Sequence, residues 1–171
     1  MDKYIYLKRR ALTKSQCDLV IKFIDNNCVN DFMYDLCEES LSNTKFDFIP
    51  HTLEMYMGEY VTKHKFLQKV YSPWGFVDRY NLQKYHPGKS YSNEHMENGK
   101  DVHDGKRLLA WMIYLNDVKN GGGTRWPQQN FTSKARVGDL YIWPAGWTHS
   151  HHGVVSNTET KYIATGWCSF I

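Results

Sequence analysis

At Phe76 the apolar residues of this 171-residue chain change period, and that change limits what the chain can fold into. Before it, Cys17, Val20, Ile21 and Ile24 fall at helical spacing, and Leu53, Tyr56, Met57 and Tyr60 repeat it. Such stripes mark amphipathic helices with one face against a core. Thr13-Lys14-Ser15-Gln16 fits a capping box that starts the first helix, and Asn26-Asn27 ends it. The second helix is expected from about His51 to Leu67, ahead of the breakers Pro73 and Gly75. Residues 28 to 50 show no clear period.

From Phe76 onward the period is 2. Phe76 to Tyr85 reads as a strand with Arg79, Asn81, Gln83 and Tyr85 on one face. Residues 98 to 106 are polar and turn-rich, which predicts a loop. Arg107 to Leu115 is the most apolar run, of a length that suits a buried central strand. Further strands are expected over Arg136 to Trp143, His149 to Val155 and Lys161 to Ile171. Helices followed by many short strands indicate an α+β fold with a sandwich or barrel as its main layer. The expected organisation is one domain over 1–171, with helical support over about 1–75 and the β layer over about 76–171.

Net charge is +3 with a pI near 8.6, and the charges are scattered along the chain, so no nucleic-acid partner is expected. No stretch approaches the ~20 apolar residues of a membrane span. Met1 to Arg10 holds no apolar run resembling a signal peptide. Cys17, Cys28, Cys37 and Cys168 include no C-x-x-C pair, and their spread predicts free thiols in a reducing compartment. These points together place the protein in the cytoplasm. The 12 Tyr, 8 Phe and 6 Trp suit either a ring-rich core or a lined pocket.

The residues that carry chemistry lie in the second half. His95 and Glu97 are one residue apart, which in extended backbone puts both side chains on one face. If His149 to Val155 is a strand, His149, His151 and Gly153 share a face and His152 points away. Two histidines and one carboxylate on one face of an ion form the triad of non-haem Fe(II) oxygenases. On the last strand Lys161 shares a face with Ile163, Thr165 and Trp167. A lysine directed into a barrel requires an anion, and a dicarboxylate chelating the metal would provide one.

These pieces together resemble the 2-oxoglutarate and Fe(II)-dependent dioxygenases, in their small prolyl 4-hydroxylase-like branch. The matching elements are Leu82 to Tyr85 with Gly88 and Tyr91, His95-Met96-Glu97, Arg107 to Leu115 running into Gly121 to Thr124, and His151-His152-Gly153 with Lys161 and Trp167. The resemblance covers about residues 76 to 171 and implies a double-stranded β-helix, or jelly roll. It implies His95, Glu97 and His151 as iron ligands, and catalytic residues together with Lys161, which would pair with the distal carboxylate of 2-oxoglutarate. The ten-residue offset to Lys161 favours His151 as the distal ligand, with His149 beside the site or at its entrance, and the choice between the two histidines stays open at this point. Tyr85 and Thr124 match positions that hydrogen-bond the co-substrate. Arg107, Tyr91 and Trp167 match positions that contact a peptide substrate, with core packing or, for Arg107, an ion pair as the other reading. The family usually has aspartate where Glu97 stands, and the interval from Tyr85 to His95 is one residue longer than usual, which implies a bulge.

The implied cofactors are Fe(II), 2-oxoglutarate and dioxygen, with ascorbate as reductant. The implied reaction is hydroxylation of an unactivated C–H bond, with a peptidyl proline as the first candidate substrate. Two other readings stay open at this point: hydroxylation of a free amino acid or other small metabolite, and a jelly-roll binding module without catalysis.

Overall fold

The computed structural model describes residues 2–30, 33–70, 72–99 and 101–171. The chain runs β1 (Tyr6–Lys8), α1 (Lys14–Asn27), β2 (Val29–Asn30), β3 (Asp35–Ser40), α2 (Phe48–Lys63), β4 (Trp74–Phe76), β5 (Arg79–Tyr85), β6 (Arg107–Tyr114), β7 (Thr124–Trp126), β8 (Phe131–Thr132), β9 (Leu140–Pro144), β10 (His152–Gly153) and β11 (Lys161–Phe170). The capping box at Thr13 is present, with Gln16 reaching back to the Thr13 N–H at 2.9 Å. Helix α2 starts three residues earlier than expected, because Pro50 sits in its first turn, where the missing N–H would have no partner in the helix. It gives way at His64 to a 3₁₀ turn over Lys65–Lys69.

The major sheet has eight antiparallel strands in the order β1-β9-β6-β11-β5-β3-β2, with β4 pairing the far end of β11. A smaller sheet, β10-β7-β8, faces it, and a bridge between His95 and His151 lies beside that sheet. The arrangement is a double-stranded β-helix buttressed by the two helices. Alternation along β6 and β11 divides the interior in two. Leu109, Trp111, Ile113, Ala164 and Cys168 pack with Val20, Ile24, Ile49, Leu53 and Met57 of the helices. Ala110, Met112, Tyr114 and Ile163 point between the sheets, among Trp126, Tyr141 and Trp143. An apolar strand covered on both faces has this pattern.

Several expectations are corrected. The first 75 residues supply strands as well as helices: β1 joins β9, and β2–β3 extends the sheet beyond β5. The strand expected from Arg136 begins at Leu140, because Gly138 turns the chain at φ +77°. No strand spans His149 to Val155; a 3₁₀ turn (Trp147–His149) precedes a two-residue β10. The interval from Tyr85 to His95 runs as a loop that turns at Gly88, φ +80°, rather than as a bulged strand.

The cysteine expectation is corrected as well. Val29 pairs with Leu36 and Asn30 with Asp35, so the next opposed pair in that register is Cys28 and Cys37. They form a disulfide with Cα atoms 4.8 Å apart, while Cys17 and Cys168 are free and buried. Cysteine usage therefore gives no support to a reducing compartment. Among the described residues no helix is long and apolar enough to cross a membrane. Reducing the bridge is expected to destabilise the fold by about 2–3 kcal/mol, the scale for a short closed loop, seen as a lower melting temperature in dithiothreitol. Thiol titration in denaturant should count two thiols per chain before reduction and four after; equal counts would contradict the pairing.

Candidate metal centre

Three short elements bring the ligand atoms together. His95 and His151 exchange backbone hydrogen bonds of 3.0 and 2.8 Å, and the Glu97 N–H donates to the Ala145 carbonyl at 3.0 Å. The loop after β5 is thereby joined to the turn after β9, and sequence-distant side chains share one cavity. One nitrogen of each of His95 and His151 and one carboxylate oxygen of Glu97 lie within 4.8 Å of one another. Both Nδ1 atoms face carbonyl oxygens, of Asn93 at 2.9 Å and of His149 at 3.0 Å. Each Nδ1–H can donate to its carbonyl, which turns Nε2 toward Glu97 as the atom a metal would take. The two Nε2 atoms stand 3.8 Å (His95) and 3.1 Å (His151) from Glu97 Oε1. Two imidazoles and a carboxylate form a donor set that suits Fe(II) and leaves positions open.

The other carboxylate oxygen is also held. Trp167 Nε1–H donates to Glu97 Oε2 at 2.8 Å. Arg107 stacks on the Trp167 ring at 3.7 Å, donates to the Glu97 carbonyl at 3.0 Å and pairs with Asp104 at 2.7 Å. Burial acts to raise the Glu97 carboxyl. The His151 contact, the charges of both imidazoles and the Trp167 hydrogen bond outweigh it and bring it down to about 2. The carboxyl is thus ionised at neutral pH, as a ligand must be. Arg107 and Trp167, expected as substrate contacts, direct their polar groups at Glu97. Tyr91 packs edge-on to His95 with ring centroids 4.4 Å apart.

His149 turns away from this cluster. Its ring is buried, with Nε2 3.5 Å from Asp2 and Nδ1 3.0 Å from Thr148. Its carbonyl oxygen is the acceptor that orients His151. The 3₁₀ turn breaks the period-2 alternation that would have given the two histidines one face.

A cavity of about 70 Å³ runs from the ligand cluster between the sheets and is lined by Tyr85, Met112, Thr124, Trp143, Lys161 and Ile163, among others. Lys161 is 5% exposed and forms no ion pair among the described residues. Its ammonium lies 4.5 Å from the Tyr85 ring centroid. Burial pulls its pKa down to about 8. A buried cation without an anion is the complement of a carboxylate ligand. The Tyr85 hydroxyl donates to Gln83 at 2.8 Å, and the Thr124 hydroxyl lies 2.9 Å from that of Tyr114, which also meets Ser133 at 2.7 Å. Tyr114 and Ser133 were not singled out from the sequence. The alternation Ala110, Met112, Tyr114 along β6 was the signal available for the first; Ser133, in an irregular segment, had none.

A family model described as the 2OG-Fe(II) oxygenase superfamily matches residues 80–169. Among curated proteins none matches the sequence. The chain is similar in fold to a solved viral collagen prolyl hydroxylase from Paramecium bursaria Chlorella virus-1, in a 2OG complex, at 18% identity and TM-score 0.80, covering 99% of this chain and 97% of that one. It is similar to a Pseudomonas putida prolyl-4-hydroxylase at 14% identity and TM-score 0.71, covering 98% and 93%. A Trichoplax adhaerens prolyl hydroxylase, solved with a peptide fragment of the hypoxia inducible factor oxygen degradation domain, matches at 13% identity and TM-score 0.72, covering 98% and 84%.

Proposed function

The chain belongs to the 2OG-Fe(II) oxygenase superfamily and is a 2-oxoglutarate-dependent dioxygenase, and from that premise we propose that it hydroxylates a peptidyl prolyl residue. The observation that carries this reading is one cavity holding the ligand atoms of His95, Glu97 and His151 together with the buried ammonium of Lys161. When bound, iron with 2-oxoglutarate and dioxygen supplies the oxidising power to convert C–H to C–OH, and 2-oxoglutarate leaves as succinate and carbon dioxide. The protein's residues bind, orient and exclude water. His95, Glu97 and His151 hold the metal, and Lys161 takes the distal carboxylate of 2-oxoglutarate. Tyr85 and Thr124 offer hydroxyls to the co-substrate by releasing Gln83 and Tyr114. Met112, Trp143 and Ile163 keep that end of the cavity dry. Ascorbate would supply the electrons that keep the bound iron ferrous.

The peptide substrate is supported by the prolyl hydroxylases this fold resembles, one of them solved with a peptide fragment. Proline-rich peptides incubated with the protein, Fe(II), ascorbate and 2-oxoglutarate are expected to gain one oxygen atom by mass spectrometry and to stimulate succinate release. Absence of both would overturn the substrate assignment. The engagement of Arg107 and Trp167 with Glu97 favours a second reading, a free amino acid or small metabolite, because those groups are not turned toward a peptide. A succinate-release screen over amino acids and metabolites distinguishes the two.

Trp167 acts as a positioning residue for the glutamate that replaces the family's aspartate. Glutamate has one more rotatable bond, and the indole hydrogen bond restricts it. Trp167→Phe keeps a ring for Arg107 to stack on but removes the donor. Outer-sphere losses of this kind weaken metal binding ~10–100-fold. Mn(II) titration should read that loss with melting temperature little changed; unaltered Mn(II) affinity would refute the role.

A further inference from the structure

A second cleft, of about 980 Å³, is lined by residues other than those of the metal cavity. It is bounded by the end of β1, the loop after β6 and the segment between β8 and β9. Five cationic side chains line it: Arg9, Arg10, Lys119, Lys134 and Arg136. Its two carboxylates have structural duties. Asp139 is buried, pairs with Arg9 at 3.1 Å and accepts the Arg10 N–H at 3.1 Å; Asp117 accepts the Val137 N–H at 2.9 Å. Lys119, Lys134 and Arg136 are exposed and form no ion pair among the described residues.

The charge count is informative. The chain has 21 lysines and arginines and 18 acidic residues, for a net charge of +3. Five of the cations and two of the acids line the cleft, which leaves sixteen of each elsewhere. The whole net charge of the protein thus resides in one concavity. The cations look scattered along the sequence because they come from three separate segments that folding brings together. Such a concentration focuses potential and draws in an anionic partner.

The walls indicate which partner. Between the cations lie Val118, Ala135, Val137 and Val154, and among the described residues no aromatic ring lines the cleft. Single-stranded nucleic acid is held by basic grooves that also offer rings for the bases to stack on, and here the rings are missing. Small aliphatic walls with a basic rim suit an extended peptide that alternates acidic and small apolar side chains. We propose that this cleft is a docking site for an acidic segment of a polypeptide. It shares a wall with the metal cavity: Thr124 and Gly153 line the cavity, while their chain neighbours Gly123 and Val154 line the cleft.

The test uses the full chain and fluorescence anisotropy of a labelled poly-glutamate peptide, with poly-glutamine of equal length and single-stranded oligo-dT as competitors. Saturable binding of one peptide per chain is expected, weakening as salt rises. The triple variant Lys119→Gln, Lys134→Gln, Arg136→Gln should weaken it by about tenfold, from three exposed charge contacts. The charge-matched variant Lys22→Gln, Lys65→Gln, Lys69→Gln, at exposed positions outside the cleft, should bind like the parent. Circular dichroism melts establish that both variants fold. No saturable binding, equal loss in the two variants, or effective competition by poly-glutamine would overturn the proposal. Tighter binding of oligo-dT than of poly-glutamate would also overturn it and reassign the cleft to nucleic acid.

Discussion

His151→Ala is expected to weaken divalent metal binding well beyond the ~10–100-fold that losing an outer-sphere contact produces, because on the proposed function it removes a coordinating nitrogen. His149→Ala is expected to leave metal affinity within a few fold. The part of His149 that supports the site is its carbonyl oxygen, which alanine keeps, 3.0 Å from His151 Nδ1. The imidazole of His149 is buried against Asp2 and Tyr4, so its loss should instead lower stability, by about 1–2 kcal/mol for a buried hydrogen-bonding ring. Mn(II) titration followed by electron paramagnetic resonance measures the first effect and thermal melting the second. A reversed pattern would make His149 the ligand.

Lys161→Met should separate function from stability. The ammonium is buried in the cavity without an anion among the described residues; if it meets the distal carboxylate of 2-oxoglutarate as proposed, its loss should reduce co-substrate affinity about 100-fold, the scale of a charge-assisted contact in a dry site. The same substitution should stabilise the free protein. Burial lowers the Lys161 pKa from 10.5 to about 8, so the folded chain holds its proton less tightly than the unfolded chain. Below pH 8 both states are protonated and the cost of the buried charge is fully present. Between pH 8 and 10.5 the unfolded state binds more protons, so stability rises with pH and the cost disappears. A shift of this size corresponds to a cost of about 3 kcal/mol at neutral pH. Denaturant unfolding of the free parent should therefore show stability climbing over that alkaline window, and the methionine variant should lack the climb. Co-substrate affinity of the parent should fall as pH rises through about 8, where the free ammonium deprotonates. Undiminished 2-oxoglutarate binding by Lys161→Met would contradict the assignment.

The parts of this molecule legible in the sequence are those whose signal is local and periodic. The capping box at Thr13 specifies its own helix start, and the alternation along Arg107 to Tyr114 and from Lys161 to Trp167 specifies which residues point between the sheets. That alternation put Lys161, Ile163 and Thr165 on the face that lines the cavity. His95 and Glu97 were legible as a pair because one intervening residue is enough in extended backbone.

What escaped depends on pairings between distant segments. The hairpin of β2 and β3 is short and polar, with no period of its own, and its register is what brings Cys28 opposite Cys37. Strand β1 has three residues and gains its identity from β9. The 3₁₀ turn at Trp147–His149 rotates His149 away from a face that simple alternation gave it. The indole of Trp167 meets Glu97 across 70 residues of sequence, and no spacing rule announces that contact. The basic cleft is the extreme case, since Arg9 and Arg10 lie more than a hundred residues of chain from Lys119, Lys134 and Arg136 and only folding makes them neighbours.

The central claim is that His95, Glu97 and His151 hold one iron ion beside a 2-oxoglutarate pocket closed by Lys161. Anaerobic titration with ferrous ion in the presence of 2-oxoglutarate, followed by visible charge-transfer absorption, tests it most directly. The parent should take up one ferrous ion per chain and develop the band only when metal and keto acid are both present, whereas His95→Ala should develop none. No band in the parent, or an equal band in His95→Ala, would contradict the account.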